Sequence, residues 1–595
     1  MNRIEIIKIF ICTTLVLLAD AQLKAEIPPM FSTKVVQKMQ KDELTKVYFP
    51  AERIVWVNSG NGKMVKNEDV LLKSGNGQAD LTNRICCVMT NLENDTASVL
   101  LDFGREIHGG LQLVLGHCTS QKPALVRIRF GESVGECNSE LTYSSGKIGY
   151  STNHHAMRDI IMEIPNYGSI EIGNTGFRFV RIDLLQEKTT INLAEARAIL
   201  RYRDIPYLGS FNCNDERLNQ IWLTGAYTVH LNMQEYLWDG IKRDRLIWLG
   251  DMHPEVATIM GVFGDNEVVP KTLDLACEQF PLPSWMNNMS AYSLWYLIIH
   301  HDWYIHGGDI DFLNKHKTYI LGLIDLIVNK IDENGNENLA KERFLDWPSS
   351  WNKEGVEAGF RALIVWAMKD AEEICNILHE PISAQKAALC IKRLNQNIKE
   401  PNKLKQAASL MSIAGILDPL KACNEVVSVD GAKGFSTFYG YYMLQTQALA
   451  GQYQQAMDII RQYWGGMLDM GATTFWEDFN LDWMDNAARL DEITPPGMKD
   501  IHGDFGAHCY LGFRHSLCHG WASGPTAWMS EHVLGIKVIE PGCKVIRIEP
   551  HLGDLNWVEG TFPTPYGIVK VKHTKSFDGN VISKVDAPKE IKIIQ

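Results

Sequence analysis

Hydrophobic and polar residues alternate with a period of two along the first third of the chain, over residues 54–200. The runs LVRIRF at 125–130 and FRFVRIDL at 177–184 carry this alternation, and turn residues separate such runs. Because a period of two places successive side chains on opposite faces of a strand, the pattern predicts an antiparallel β-sandwich. We assign this N-terminal β-sandwich domain to residues 26–203.

After Arg203 the apolar spacing changes to that of helices, beginning at Asn214-Asp-Glu-Arg, which is a good N-cap with an acidic first turn. Paired helices in this number predict an α/α barrel at 204–535, with pocket residues on the loops at one end. The period of two returns after Ile536 and predicts a small C-terminal β-domain at 536–595. The predicted helices begin near residue 214 and continue at 251–263, 285–306, 311–331, 357–379, 383–396, 403–416, 435–451, 454–468 and 520–535.

Composition and charge narrow the class of protein. The 595 residues are 45% hydrophobic and 22% charged, which is typical of a soluble protein of several domains. The formal net charge of -13 argues against nucleic acid or an anionic membrane as the main partner. A basic start, a short apolar run at 9–18 and small residues near Ala25 predict a signal peptide at 1–25. We therefore expect an exported protein, periplasmic or extracellular, with no membrane span.

Metal and cofactor motifs are not found in the sequence. The twelve cysteines after residue 25 show neither CxxC pairs nor His/Cys ligand spacing, so neither structural zinc nor a redox centre is indicated. The adjacent pair His154-His155 on a strand would point to opposite faces, which disfavours a shared metal. No glycine-rich phosphate loop and no GxSxG elbow is found. The sequence predicts no metal and no cofactor.

Acidic and aromatic residues crowd into the stretch WDGIKRDRLIWLGDMHPE at 238–255. Its members that could act on a substrate are Asp239, Arg243, Asp244, Trp248, Asp251 and Glu255. Carboxylates close together hold their pKa values apart, so one can remain protonated as a general acid, and indole faces suit sugar rings. Gly250 and Pro254 break any long helix, so we predict a loop at 239–250 and Asp251 as N-cap of a helix to about Phe263. The alternative is a structural loop with a capping Asp, solvated charges and core tryptophans.

A second carboxylate must activate water if the first cluster donates a proton to a leaving group. The stretch GATTFWEDF at 471–479 places Glu477 beside Trp476 and makes Glu477 the candidate general base. The alternative is a helix start in which Thr473 or Thr474 caps and Glu477 completes a capping box.

Two further stretches combine polar and aromatic side chains. Asp346 and Trp347 in RFLDWPSSW at 343–351 could bind hydroxyl groups on one edge of a pocket and stack against a ring on the other. His519 in SLCHGW at 516–521 precedes a predicted helix, where a histidine is more often structural than catalytic.

The domain order and these motifs resemble the bacterial α-L-rhamnosidases of glycoside hydrolase family 78, whose catalytic domain is an (α/α)6 barrel. The resemblance lies in DGIKRDRLIWLGD at 239–251, ATTFWE at 472–477, SLCH at 516–519, GIKVIEPG at 535–542 and PTP at 563–565. It implies hydrolysis with inversion, in which Asp244 is the general acid, Glu477 is the general base, and Asp239 and Asp251 hold sugar hydroxyls.

One position departs from the family pattern, because Asp244 stands where the family usually has Glu. The shorter side chain retracts the proton donor by about 1.5 Å unless the backbone compensates. Asp251 or Glu255 could then replace it as the acid. The resemblance implies an exported glycoside hydrolase that removes terminal α-L-rhamnosyl residues from a complex glycan. The alternatives are an α/α-barrel hydrolase for another sugar and a carbohydrate-binding protein without turnover.

Overall fold

The computed structural model describes residues 43–82, 84–92, 95–116, 123–140, 158–341, 343–508 and 510–595. The predicted signal peptide at 1–25 and the pair His154-His155 lie outside these residues. Residues Leu44–Gln595 form one compact unit. In the part of the chain that is described, no helix combines the length and the apolar character needed to cross a bilayer.

The N-terminal region is one antiparallel sheet, as the alternating pattern predicts. Its strands follow the order β3-β4-β9-β5-β8-β6-β7, with β1 added to β9 and β2 added to β5. The strands are β1 (Leu44–Pro50), β2 (Arg53–Asn58), β3 (Val65–Lys66), β4 (Cys87–Thr90), β5 (Ser98–Leu115), β6 (Ala124–Gly131), β7 (Asp159–Ile164), β8 (Gly168–Leu184) and β9 (Thr190–Arg203).

The long strands of this sheet change partners along their length. In β5 the register breaks between Asp102 and Ile107, so its first part pairs with β2 and β8 and its last part with β8 and β9. All the strands are therefore linked by hydrogen bonds, rather than divided between two separately bonded sheets. The antiparallel pairing is confirmed, and the layered sandwich stays a prediction.

Helices dominate from residue 216 to residue 533, and each predicted helical segment contains an observed helix. The prediction missed α4 and α10. The helices, of which α1 belongs to the N-terminal region, are α1 (Val134–Asn138), α2 (Glu216–Asn232), α3 (Met252–Val262), α4 (Val268–Gln279), α5 (Ser290–Gly307), α6 (Ile310–Val328), α7 (Lys353–Ile377), α8 (Pro381–Leu394), α9 (Lys405–Ile413), α10 (Pro419–Ala422), α11 (Gly440–Leu449), α12 (Tyr453–Asp469) and α13 (Gly524–Trp528).

The C-terminal strands form two small sheets, which confirms the predicted change back to β-structure. One sheet has the order β10-β15-β16-β17 and the other β13-β14-β18. Strand β10 lies before α2, so the start of the helical region pairs with the C-terminal region, and the predicted domain boundaries stay predictions. The remaining strands are β10 (Ser210–Cys213), β11 (Ala487–Ala488), β12 (Lys499–Asp500), β13 (Ile536–Glu540), β14 (Val545–Ile548), β15 (Trp557–Thr564), β16 (Gly567–Lys575), β17 (Val581–Asp586) and β18 (Lys592–Ile594).

Two large hydrophobic clusters hold the molecule together. One fills the N-terminal sheet and includes Leu101, Val126 and Phe177, all fully buried. The other runs through the helical region into the C-terminal sheets and includes Trp295 and Trp464. Each fully buried aliphatic or aromatic side chain contributes about 1.5–3 kcal/mol. The loops that carry the candidate chemistry therefore belong to a unit with two extensive clusters of buried apolar side chains.

Candidate active site

A cavity of about 230 Å³ lies among the loops that join the helices. Eight of the ten predicted site residues line this cavity. The other lining residues come from the 510–521 loop, from the start of α5 and from position 344. The lining residues are Asp239, Arg243, Asp244, Trp248, Asp251, Met289, Tyr292, Phe344, Trp347, Glu477, Tyr510, Arg514, His519 and Trp521.

The 239–251 stretch is a closed loop without helix, as Gly250 and Pro254 predict. The N–H of Asp239 donates to the carbonyl of Leu246 at 3.1 Å, and the N–H of Leu246 returns to Asp239 Oδ1 at 2.9 Å. Asp244 and Arg245 at its tip have left-handed backbone φ angles of 54° and 53°. Such a conformation is costly for residues other than glycine, so the closure of the loop must hold it in place. The left-handed turn fixes the direction of the Asp244 side chain at the cavity.

Arg243 joins the two candidate catalytic carboxylates. Its Nη2 contacts both carboxylate oxygens of Glu477, and its Nη1 lies 3.1 Å from Asp244 Oδ2. Its Nε donates to the carbonyl of Arg514 at 2.9 Å, which fixes the plane of the guanidinium. A guanidinium stays charged at any relevant pH, so this buried cation acts on both acids at once.

Glu477 is a buried carboxylate held in its ionised form. Besides Arg243, the N–H of Ser516 donates to its Oε2 at 3.2 Å, and His519 Nδ1 lies 4.0 Å from its Oε1. Burial alone would raise the pKa of Glu477, but the charges of Arg243, His519 and His515 outweigh it and lower the pKa to about 2. A general base must be unprotonated at working pH, and Glu477 meets that requirement.

The capping alternative for Glu477 is not found, because no helix begins at 473–477. Thr473 Oγ1 accepts from the N–H of Glu106 at 2.8 Å. Thr474 Oγ1 donates to the carbonyl of Leu517 at 2.7 Å. The two threonines therefore tie the Glu477 loop to its neighbours instead of capping a helix.

Asp251 faces the cavity and precedes α3, but its side chain does not cap that helix. Instead, its Oδ1 accepts from the Tyr292 hydroxyl at 3.0 Å, and its Oδ2 lies 3.1 Å from His519 Nε2. Burial raises the pKa of Asp251 despite the opposing effect of His519. Burial lowers the pKa of His519, but Glu477 and Asp251 outweigh burial and raise it. Asp251, His519 and Tyr292 form a polar wall suited to sugar hydroxyls.

The pKa of Asp239 shifts in the opposite direction to that of Glu477, although both side chains are buried. Burial raises the pKa of Asp239 well above its ordinary value, and the charges of Asp244 and Asp251 add to this effect. Asp239 therefore holds a proton under conditions in which Glu477 is ionised. A cavity with one protonated and one ionised carboxyl group contains the elements of acid–base catalysis.

Glu255, considered from sequence as a substitute acid, does not line the cavity. It is fully buried against Gly520, where an added Cβ would lie 1.4 Å from Glu255 Oε1. Asn232 Nδ2 donates to the same oxygen at 3.4 Å. This acid supports the loop behind the cavity and cannot reach a substrate in it.

Two predicted binding residues also lie outside the cavity wall. Trp476 is buried and packs edge-on against Phe479 and His515, with ring centroids at 5.5 and 6.3 Å. Asp346 is buried, and its Oδ2 accepts from Gln406 Nε2 at 3.2 Å and from the Ser436 hydroxyl at 2.5 Å. Both side chains are held by buried neighbours away from the cavity, whereas the adjacent residues Glu477 and Trp347 line it.

Aromatic rings form the rest of the wall. Trp347 is 37% exposed and packs edge-on against Phe344 at 5.2 Å, and Trp248 packs edge-on against Tyr292 at 6.0 Å. Sequence reasoning missed Met289, Tyr292, Phe344, Tyr510, Arg514 and Trp521 as lining residues. Phe344 and Trp521 stood inside motifs that had drawn attention, whereas Tyr292 lies in a long apolar run that indicates only a buried helix.

Two clusters among the described residues bring potential metal ligands together, and neither lines the cavity. They are Glu132, Glu136 and His502, and His301, Asp302 and Asp370. In the first, Lys242 Nζ lies 3.0 and 3.1 Å from the two carboxylates, so a cation already occupies the centre. In the second, the imidazole of His301 contacts Asp302 at 2.9 Å. That the cavity functions without a metal stays a prediction.

Two parts of the chain match domains of known bacterial proteins. Residues 206–402 match the family model of the bacterial alpha-L-rhamnosidase 6 hairpin glycosidase domain, and residues 535–593 match that of the bacterial alpha-L-rhamnosidase C-terminal domain. An alpha-L-rhamnosidase of Alteromonas sp. (strain LOR) is 32% identical over 122 residues, which are 20% of this chain and 11% of that protein.

Solved structures share the fold. A GH78 family rhamnosidase of Bacillus sp. GL1 superposes with a TM-score of 0.70 and 20% identity, over 85% of this chain and 54% of that chain. A rhamnosidase from Klebsiella oxytoca with rhamnose bound gives a TM-score of 0.61 and 17% identity, over 82% of this chain and 96% of that chain. The match thus spans about a tenth of the curated relative and about half of the Bacillus structure. Residues 206–402 and 535–593 therefore match the six-hairpin glycosidase domain and the C-terminal domain of bacterial alpha-L-rhamnosidases, and the chain shares the fold of the solved rhamnosidases.

Proposed function

We propose that this protein is an exported, inverting glycoside hydrolase that removes terminal α-L-rhamnosyl residues from a complex glycan. The observation that carries the proposal is the pair of carboxylates, Glu477 and Asp244, held by one guanidinium in a cavity with aromatic walls. The rhamnosidase names of the relatives support rhamnose as the glycone. The same similarity supports a central (α/α)6 barrel, and the apolar run at 9–18 supports export.

In the proposed mechanism, Glu477 removes a proton from a water molecule, which attacks the anomeric carbon. Asp244 donates a proton to the departing glycosidic oxygen, so the bond to the aglycone breaks as the bond to water forms. Asp251, His519 and Tyr292 bind hydroxyls of the sugar, and the ring stacks on the exposed indole of Trp347. Inversion requires room for the water, so the acid and base carboxyl groups should be about 6.5–9.5 Å apart in the complex.

The assignment of the acid has a specific competitor in Asp239. Asp244 occupies the family position, and its side chain is 23% exposed beside Arg243. Asp239 is buried in the same cavity wall, and burial raises its pKa well above the ordinary value, which favours its protonated form. Asp244 stays the first candidate because it occupies the family position and its partly exposed side chain lines the cavity.

The test is hydrolysis of aryl α-L-rhamnosides and of rhamnose-bearing polysaccharides by wild type, Asp244→Asn, Asp239→Asn and Glu477→Gln. Loss of the acid should slow a poor leaving group such as phenol far more than an activated one such as dinitrophenol, because only the poor one needs the proton. Loss of the base should slow both equally. Proton NMR of the first product should show the β-anomer if the reaction inverts.

Asp311→Asn, at an exposed position in the first turn of α6, is the matched control and should behave like wild type. Wild type that binds rhamnosylated glycans without releasing rhamnose would support the carbohydrate-binding alternative. Release of a different sugar from a glycoside panel would support a hydrolase with another glycone. The leaving-group effect appearing in Asp239→Asn and not in Asp244→Asn would move the acid to Asp239.

A further inference from the structure

The N-terminal sheet is bonded directly to the loops that form the cavity. The N–H of Gly176 donates to the carbonyl of Ile241 at 3.0 Å, within the 239–251 loop. Arg178 Nη1 donates to the carbonyl of Gly471 at 3.1 Å, at the start of the Glu477 loop. These contacts show that the sheet supports the cavity from behind, although none of its residues lines it.

The most buried of these contacts are made by Glu132, which lies between β6 and α1. Ser133 caps α1 by accepting from the N–H of Glu136, and Glu136 Oε2 accepts from the N–H of Glu132 at 2.7 Å. The local sequence GESVGE at 131–136 thus fixes two carboxylates at the start of a short helix. Both are about 1% exposed, so each needs a partner of opposite charge or a hydrogen-bond donor.

Those partners come from the active-site loops. Lys242 Nζ lies 3.0 Å from Glu132 Oε2 and 3.1 Å from Glu136 Oε1, and it donates to the carbonyl of His515 at 2.8 Å. The N–H of Leu517 donates to Glu132 Oε2 at 2.7 Å. Glu132 therefore holds the 239–251 loop through Lys242 and the 514–519 loop through Leu517.

Both points of attachment are one residue away from a donor to the candidate general base. Arg243, which follows Lys242, contacts both oxygens of Glu477. Ser516, which precedes Leu517, donates its N–H to Glu477 Oε2 at 3.2 Å. Since consecutive residues share a planar peptide unit, a shift of Lys242 or Leu517 is passed to the backbone of Arg243 and Ser516.

We propose that Glu132 is a positioning residue of the N-terminal domain that sets the two donors to Glu477 in place by holding Lys242 and Leu517. The inference rests on the proposed function for the catalytic role of Glu477, while the positioning itself can be measured without turnover. It gives the N-terminal sheet a part in catalysis that requires no contact with substrate.

The ion pairs of the cluster support this role over that of a cation site. The basic groups of Lys242 and Arg158 contact the carboxyl groups of Glu132 and Glu136, and all four side chains are fully buried. Removal of one partner leaves a buried charge without compensation, so the cluster has one favourable arrangement. A single arrangement is what a support for precisely placed donors requires.

The experiment compares Glu132→Gln with Glu195→Gln. Glu195 is a matched control because it is a buried carboxylate of the same sheet, paired with Arg84 at 2.9 Å and Arg197 at 3.4 Å, away from the active-site loops. Amide hydrogen exchange followed by mass spectrometry should become about tenfold faster or more at 239–247 and 514–519 in Glu132→Gln only. On an aryl rhamnoside, kcat should fall about 10–100-fold while KM changes by less than about twofold.

Glu132→Asp is the second variant, because it keeps the charge and draws the carboxylate back by about 1.5 Å. If Glu132→Gln does not fold, Glu132→Asp should still show faster exchange in both loops and a smaller loss of kcat. The inference is overturned if neither Glu132 variant differs from Glu195→Gln in loop exchange and in kcat. Faster loop exchange in the Glu132 variants, together with no turnover by wild type, would contradict the proposed function and leave the positioning role in force.

Discussion

Replacement of Arg243 by methionine should raise the pH at which the enzyme gains activity. In the native cavity the pKa of Glu477 is lowered from an ordinary 4.5 to about 2, against the effect of burial. That difference corresponds to about 3 kcal/mol in favour of the ionised form. Methionine keeps an unbranched apolar stem and removes the charge, so burial then dominates and the pKa of Glu477 should rise above 4.5.

The assay is kcat/KM for an aryl α-L-rhamnoside between pH 3 and pH 8. The base must be ionised to act, so activity rises with pH through the pKa of Glu477 in the free enzyme. In Arg243→Met this acidic limb should move upward by about two pH units or more. His515 and His519 also face Glu477, and Arg243→Lys, which keeps a charge without the bidentate geometry, should give an intermediate limb.

The same ion pair makes a prediction about folding stability. The lowered pKa of Glu477 contributes stability above about pH 4.5, and this contribution is lost as the pH falls from about 4.5 toward 2. Arg243→Met should therefore unfold more easily at neutral pH by about 3–5 kcal/mol, because a buried carboxylate loses its partner. Arg217→Met, which breaks a half-exposed pair with Asp469, is the control and should cost at most about 1 kcal/mol.

The pH–activity prediction for Glu477 is refuted if the acidic limb of kcat/KM stays at its wild-type pH in a folded Arg243→Met.

Two further substitutions test the walls of the cavity. Gly520→Ala should lower the free energy of unfolding, measured with denaturant, by more than about 3 kcal/mol, because the new Cβ would lie 1.4 Å from Glu255 Oε1. Gly261→Ala is the control and should be nearly neutral, because its new Cβ would meet no atom closer than 3.9 Å. Trp347→Ala should raise KM about 3–10-fold with little change in kcat, because the exposed indole should bind the ground state and the transition state equally well. An unchanged KM would show that Trp347 does not contribute to substrate binding.

The sequence was most informative where a residue type restricts the backbone. Gly250 and Pro254 exclude a continuous helix, and the structure has a closed loop followed by α3 (Met252–Val262). Helix α4 (Val268–Gln279) was missed although, as in α3, its proline, Pro270, stands in the first turn, where proline is tolerated. Patterns of this kind report local backbone preference and therefore predict elements better than their packing.

The sequence was less informative about which side chains point into the cavity. Trp476 and Asp346 have the residue types of a sugar site, yet each points away from the cavity while its neighbour points into it. The donor Ser516 could not be predicted, because it acts through its backbone N–H and any residue except proline offers the same group. Glu132 lies more than one hundred residues from the motifs that it supports, and only the folded chain brings them together.

The pKa values of Asp239 and Glu477 shift in opposite directions, and the main reason is that only Glu477 is in direct contact with the Arg243 guanidinium. Both side chains are almost fully buried, at 3% and 4% exposed, so burial raises the pKa of both. Arg243 contacts Glu477 through Nη2 and turns Nη1 toward Asp244, whereas Asp239 accepts a neutral backbone N–H from Leu246. The direction of the Arg243 guanidinium therefore contributes most to the lowering of the pKa of Glu477, while the pKa of Asp239 stays raised. Because Glu132 acts on the residue next to that guanidinium, the acid–base asymmetry of the cavity depends on the N-terminal sheet as well as on the loops that line it.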